Sequence, residues 1–406
     1  MKVNKYLPFA FIYFFFNTVG LPLGLTYTAI LSPFFYWWIL TKRKQEIILP
    51  FLGSMLIFVI IHLASGTNVN TYLISFANLL TVYIFCQAVY TFFKICRDPE
   101  NIYWSLFLVN FIFCLIAIPV YFTPYRNILW IQQYLTEGID NFLRLKLFTY
   151  EASYYATLFT PLFFFYLLQI IFKQNKRSIW LLLPMLLLPY LLSFSMGVIS
   201  SVLVAIAFTY IFYFKRLTRK KRVLSIISFG ASLVIFLVGI LMIFFPDNAL
   251  FLRIENIFAG ADSSGRGRTY EAFILADKLL DEKSHIWGIG LGQIKTLGAE
   301  IIRDFYLYPM DYTVFTIPNA AAETLAIFGW VGFSLRILIQ LVLFFRTKVW
   351  TNYYRLLLFI FIFLYQFTGS FITNIAEYVI WILAFTNVFP QFNVLKKPQN
   401  YFLKNI

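Results

Sequence analysis

Charged side chains are scarce in this chain: Asp, Glu, Lys and Arg make up 13% of its 406 residues, where an average soluble domain carries roughly 25%. A soluble fold is excluded by the apolar content, because 61% of the residues are hydrophobic and the mean hydropathy is +0.76. Cysteine and histidine are nearly missing as well. The three cysteines, Cys86, Cys96 and Cys114, show no CxxC or Cys/His spacing of the kind metal sites use, so they read as packing residues. With only His62 and His285 available, a histidine-rich metal centre is excluded, and the sequence implies neither a metal nor any other cofactor.

What fills the chain instead is a succession of apolar runs near 6–22, 25–40, 47–64, 71–93, 103–121, 150–172, 178–194, 196–214, 223–245, 318–345, 356–371 and 375–390. A helix needs about 20 mainly apolar residues to cross the hydrocarbon core. The runs are continuous rather than alternating, which points to helices and not to a barrel. The expected fold is therefore all-α: a polytopic membrane protein of about 12 transmembrane helices, forming one integral membrane domain over residues 1–406. Met1-Lys2-Val3-Asn4-Lys5 resembles the start of a signal peptide, but no small-residue cleavage site follows, so an uncleaved first span is expected.

Charge placement orients the spans. Lys and Arg favour short cytoplasmic connections, and with both termini in the cytoplasm most of the 33 basic residues fall on that side, notably in Lys42-Arg43-Lys44 and between Lys215 and Arg222. The same distribution excludes a nucleic-acid partner for a chain of net charge +15, since its cations mark alternate membrane exits and form no continuous groove.

Two outer segments are too long to be turns, one over 122–149 and a larger one over 246–317. The second holds more than half of the 18 acidic residues, and long loops without structure of their own are usually functional. Within it, 269–283 reads as an amphipathic helix with Phe273, Ala276 and Leu280 on one side and Glu271, Lys278 and Glu282 on another, lying on the membrane surface or over the site. Asp262, Ser263 and Ser264 are its candidate N-caps.

The candidate chemistry gathers at the outer face. Asp262-Ser263-Ser264-Gly265-Arg266-Gly267-Arg268 combines two guanidinium groups with backbone N–H groups at a helix start, which suits a phosphate or pyrophosphate; the alternative is a solvated loop with surface arginines. Arg144 and Lys146 add positive charge just before Tyr150-Glu151-Ala152-Ser153, where an interfacial anchor is the alternative. Asn319 opens the tenth span and Glu323 lies one helical turn further on the same face. A carboxylate in the membrane costs about 2.5–3.5 kcal/mol on insertion scales and is a functional candidate by default; Glu323 is read either as a general base or as the partner that holds Arg266, Arg268 or Arg144. Glu377 sits near the outer end of the last span, and Arg336 is expected to snorkel towards the cytoplasmic face. His285-Ile286-Trp287-Gly288-Ile289-Gly290-Leu291-Gly292 lacks the preceding strand and βαβ context of a dinucleotide fingerprint; its glycines read as a tight re-entry of the chain. Trp287, Tyr306 and Tyr308 are aromatics that can stack on sugar rings or anchor at the interface.

The order of these segments, Arg144 with Glu151-Ala152-Ser153, then Ser193-Phe194-Ser195-Met196-Gly197, Ser264-Gly265-Arg266, Trp287 to Gly292, and Pro318-Asn319 followed by Gly329-Trp330-Val331-Gly332, resembles the O-antigen polymerase and O-antigen ligase superfamily of bacterial membrane glycosyltransferases. The resemblance implies a plan like that of GT-C-like polysaccharide polymerases, with a large late extracytoplasmic loop. It also implies a polymerase in the bacterial cytoplasmic membrane that joins undecaprenyl-pyrophosphate-linked glycans into O-antigen, capsule or exopolysaccharide. Membrane lipids, a chain-length regulator and a flippase would be its partners. Arg144 and Arg266 match the family's pyrophosphate-binding arginines, with Arg268 as a helper, and Glu151, Glu323 and Asn319 are the catalytic candidates. The ligase branch carries a histidine where this chain has Pro318, which favours the polymerase over the ligase. A flippase is the rival of another class, and it would be expected to show internal repeats or broken helices, neither of which is visible in the sequence.

Overall fold

The computed structural model describes residues 6–16, 27–44, 46–133, 142–174, 177–217, 249–260, 262–307, 309 and 315–394, and about 76% of these described residues are helical. The N-terminal half runs through α1 (Leu7–Phe16), α2 (Tyr27–Arg43), α3 (Ile48–Ala64), α4 (Val69–Ile95) and α5 (Pro99–Val120). Polar caps set the starts: Asn68 accepts from the N–H of Thr71 at 3.2 Å, and Asp98 accepts from that of Asn101 at 3.1 Å with Pro99 at the first helical position, where its missing N–H costs nothing. A hairpin of β1 (Trp130–Gln133) and β2 (Phe142–Leu145) follows, pairing antiparallel with Ile131 opposite Arg144. This two-stranded hairpin is a small addition to a fold that is all-α as expected, and it gives part of the segment 122–149 a structure of its own.

Next come α6 (Ala152–Ile171), α7 (Ile179–Ser193) and α8 (Met196–Phe212). Nearly every side chain of α6 is buried, which makes it the central helix, and α5 packs on it through Phe107 stacked on Tyr166 at 4.1 Å. Cys114 fills that interface beside the Tyr155 hydroxyl at 3.2 Å, in keeping with a packing role. The expected span at 223–245 lies outside the described residues.

The large segment 246–317 contains α9 (Ala249–Phe258), α10 (Ser263–Arg268), α11 (Tyr270–Asp281) and α12 (Leu297–Tyr306). Asp262 caps α10, accepting from the Gly265 N–H at 2.9 Å. The amphipathic helix is there, but it does not lie free on a surface: Ala272, Leu275, Ala276, Leu279 and Leu280 are buried in a second apolar cluster with Tyr72, Leu325, Ala326 and Ile327. Removing that face from contact with solvent outweighs leaving it at an interface.

The chain closes with α13 (Ala320–Arg346), α14 (Tyr353–Tyr365) and α15 (Ile375–Phe385). Asn319, Asn352 and Asn374 are their N-caps. The run expected to continue to 371 stops as helix at Tyr365, and 366–374 forms a loop. The run expected over 318–345 is not one regular helix either. At Gly329 the backbone turns to φ 64° and ψ −169°, and the segment 285–290 takes up the freed backbone groups: the N–H groups of Ile289 and Gly290 donate to the carbonyls of Ala326 and Ile327 at 2.9 and 3.0 Å, and the carbonyls of His285 and Ile286 accept from Trp330 and Val331 at 3.0 and 3.2 Å. A helix buried in protein can be broken only if such partners replace its own ladder.

Among the described residues four helices, α4, α5, α6 and α13, are long and apolar enough to cross a membrane. Six shorter apolar helices, including α3, α7 and α14, accompany them. Among them, α3 exposes Leu49 and Ile57 and α8 exposes Leu203 and Ile211, an apolar surface suited to lipid.

Candidate functional site

Two adjoining cavities collect most of the predicted residues. The first is about 750 Å³ and is lined by Arg144, Arg266 and Arg268, together with Ser195, Gly197 and Gly265. The second is about 470 Å³ and contains Glu151, Arg268, Glu323, Lys295, Tyr150 and Asn374. Arg268, Ser153 and Tyr365 belong to both walls.

Arg144 reaches the first cavity from β2. It is buried, and its guanidinium donates from Nε to the Ser193 carbonyl at 2.9 Å and from Nη1 to Gln133 Oε1 at 2.7 Å. Ser193 is the last residue of α7, so a cation there meets the partial negative charge of a helix C-terminus. Phe194 then takes a left-handed conformation (φ 46°), and the chain turns directly into α8, which places Ser195 and Gly197 on the cavity wall. The motif 193–197 thus serves as a corner that anchors Arg144.

Arg266 and Arg268 project from α10 in different directions. Arg266 is exposed and pairs loosely with Glu271 at 3.3 Å. Arg268 is partly buried and donates from Nη2 to Glu151 Oε1 at 2.5 Å. Glu151 precedes α6 at its N-cap position and makes no side-chain cap. Burial opposes its ionisation, but the Arg268 guanidinium, with a smaller contribution from Arg144, holds its carboxyl below the ordinary carboxylate value; reciprocally, Glu151 raises the pKa of Arg268. The pair is thereby fixed in its charged form.

Asn319 is fully buried and lines neither cavity. Its Nδ2 donates to the carbonyls of Arg268 and Phe367 at 2.8 and 2.7 Å, and its Oδ1 accepts from the Ala322 N–H at 2.9 Å. Its amide is committed to holding backbone, Arg268 included. Glu323 does reach the second cavity, but the expectation that it holds one of the three arginines fails: Arg268 pairs with Glu151 and Arg266 with Glu271, while Glu323 Oε2 accepts from the Ile372 N–H at 2.6 Å. Arg336 does not snorkel. It turns inward to pair with the buried Glu377, because a charge within apolar surroundings is stabilised most by a desolvated partner.

Gly288, Gly290 and Gly292 all have positive φ, as a tight re-entry requires. Trp287 lies outside both cavities, edge-on to Phe58 at 5.8 Å, with its carbonyl held by His62 Nε2 at 2.8 Å. Tyr306 stands beside Gly267, and Tyr308 lies outside the described residues. His285 sits on the surface of the large segment against Asp281 at 3.0 Å, away from the cavities.

Sequence reasoning missed Lys295, Tyr365 and above all the loop 366–374, whose Ser370, Ile372, Thr373 and Asn374 line the second cavity. The signal was present: Gln366-Phe367-Thr368-Gly369-Ser370 and Thr373-Asn374 interrupt the apolar run with polar residues and a glycine. Among the described residues no group of three His, Cys, Asp or Glu side chains is placed to hold a metal ion. No family model matches the chain, and no curated protein matches it.

Proposed function

We propose that this chain is a polymerase that joins undecaprenyl-pyrophosphate-linked oligosaccharide repeat units into a surface polysaccharide at the outer face of a bacterial cytoplasmic membrane, which it crosses about twelve times with both termini inside. The observation that carries this reading is the shared wall: three arginines line one cavity, two carboxylates line the next, and Arg268 belongs to both. A donor held by its pyrophosphate in the first cavity would present its anomeric carbon towards an acceptor hydroxyl in the second.

In that arrangement the acceptor oxygen bonds to the anomeric carbon as the bond from that carbon to the phosphate oxygen breaks. The electron pair leaves on undecaprenyl pyrophosphate, and the hydroxyl proton passes to a carboxylate. Arg144, Arg266 and Arg268 would stabilise the charge growing on the leaving group, as preorganised cations do in phosphate chemistry. Glu151 is committed to Arg268, whereas Glu323 is tied at Oε2 by one backbone N–H and faces the second cavity. Glu323 is therefore the better proton acceptor, and general-base help of this kind is worth about 10² to 10⁴ in rate. Asn319 would act by holding Arg268 rather than by touching substrate.

Polymer length on gels tests the reading, using cells deleted for the gene and complemented with wild type, Arg144→Ala or Arg266→Ala at equal membrane levels. Deletion should leave single-repeat glycans, wild type should restore a ladder, and each arginine variant should shorten or abolish it. Long polymer that is made but never attached to its acceptor would make the chain a ligase instead. The break in α13 at Gly329 favours a second reading, a flippase for the same lipid-linked sugars, since transporters build their sites at discontinuous helices. Under that reading, the repeats left in deleted cells would stay shielded from a glycosidase added outside.

A further inference from the structure

The buried ion pair between Arg336 and Glu377 is drawn into neither cavity chemistry nor the apolar core, yet it sits at the end of an unbroken set of hydrogen bonds leading to the site. Glu377 Oε2 accepts from the Ser370 hydroxyl at 2.6 Å, and Asn374 Nδ2 donates to the same Ser370 oxygen at 2.8 Å. Arg336 also donates to Gln366 Oε1 at 2.9 Å and to Thr324 Oγ1 at 3.2 Å. The pair therefore grips the loop 366–374 at Gln366 and at Ser370. Along the loop, the carbonyls of Gln366 and Gly369 accept from the N–H groups of Ala321 and Ala320 at 3.0 and 3.1 Å, filling the orphan donors at the start of α13. The Phe367 carbonyl accepts from the Asn319 amide that also holds Arg268, and the Ile372 N–H donates to Glu323. Ser370 adopts φ +68°, a left-handed conformation that a non-glycine residue keeps only when its surroundings impose it. Its hydroxyl, tied to Glu377 and Asn374, is what imposes it.

We propose that Arg336 and Glu377 are positioning residues for the outer-face site, acting through the loop 366–374 to fix the carboxylate of Glu323 in the second cavity and the backbone of Arg268 in the shared wall. This rests on the proposed transferase reading for its consequence in catalysis, but its geometric content stands without it. A charged pair inside a membrane protein is costly to assemble and contributes little net stability over a well-packed apolar pair. Its product here is a strained loop held in one shape.

The test uses full-length protein in lipid nanodiscs and two readouts. The first is modification of Glu323 by a hydrophobic carbodiimide, followed by mass spectrometry; the second is kcat and KM for polymerisation of lipid-linked repeats. Ser370→Ala, which leaves the ion pair whole, and Glu377→Gln, which keeps a hydrogen-bonding side chain, should each change the modification rate of Glu323 by about tenfold, the worth of one hydrogen bond. Both should lower kcat by about a hundredfold with KM little changed, as a misplaced group does, and Arg336→Lys should retain more activity than Arg336→Ala. Glu323 reactivity equal to wild type in folded Ser370→Ala and Glu377→Gln protein would overturn the proposal, as would unchanged kcat per folded molecule. If wild type polymerises nothing, the transferase reading fails by itself while the carbodiimide readout still decides the positioning role.

Discussion

Arg268 is the residue on which the site turns, because its side chain and its backbone are held by different partners. The guanidinium is fixed by Glu151, the carbonyl by Asn319, and the side chain stands between two cavities. Glu151 illustrates what this does to stability. Its folded pKa lies below the ordinary carboxylate value because the Arg268 guanidinium overcomes the penalty of burial. A carboxyl depressed in this way contributes stability that is complete above its unfolded pKa of about 4.3 and is lost as pH falls through the lower folded value. Glu151→Gln should therefore lower stability at pH 7 by about 1–2 kcal/mol, since Arg268 is left without its charged partner in a partly solvated place, and should flatten the decline of Tm below pH 4.3. Thermal melts of purified protein across pH 3.5–7 check this; an unchanged Tm at neutral pH would show that the pair contributes nothing. The arginines and carboxylates of this site were legible as residue types at a membrane exit. Which arginine takes which carboxylate was not, since Glu151 and Arg268 are separated by 117 positions and only the folded chain brings them together.

Elements meet backbone to backbone where the segment 285–292 enters the break in α13. Gly288 (φ +79°) and Gly329 (φ +64°) pack backbone to backbone, and a Cβ on Gly288 would stand 2.4 Å from the Ile327 carbonyl oxygen. Gly288→Ala should therefore both clash with main chain and strain its own φ, costing about 3 kcal/mol or more, and should cut the amount of folded protein recovered from membranes. Gly53→Ala is the control: it lies within α3 with nothing near its missing Cβ, so it should be neutral or stabilise by about 0.5–1 kcal/mol. Equal recovery of the two variants would remove the interlock as a structural requirement. The glycine pattern announced a tight turn, but its destination was hidden, because the apolar run from 318 to 345 keeps helical composition straight through Gly329. Hydropathy reports solvent preference and not hydrogen-bond continuity, so a helix broken inside protein looks unbroken in sequence. The loop 366–374 was obscured for a related reason: Gln366 and Ser370 turn inward to Arg336 and Glu377, and the flanking aromatics keep the average apolar.

At the scale of the molecule, the proposed chemistry depends on which side of the membrane the two cavities open. Helical content and long apolar helices suit a bilayer, and the proposed orientation rests on the basic residues alone. The proposed orientation has a direct physical check, because each of the two proposed faces carries an exposed side chain. His285 is exposed on the large segment that supplies Arg266 and Arg268, and Lys215 is exposed beyond α8 in the most basic connection. The native cysteines, Cys86, Cys96 and Cys114, are partly or wholly buried, so a new surface cysteine would dominate labelling. With a membrane-impermeant maleimide, His285→Cys should label in intact spheroplasts and Lys215→Cys only after the membrane is opened. The reverse pattern would put the arginine-lined cavity in the cytoplasm, where a lipid-linked glycan already carried outward could not reach it, and the polymerase proposal would fall. The expected pattern would leave the site facing the compartment in which a surface polysaccharide is assembled, with the short basic connections retained inside by the cost of carrying so many cations across the hydrocarbon.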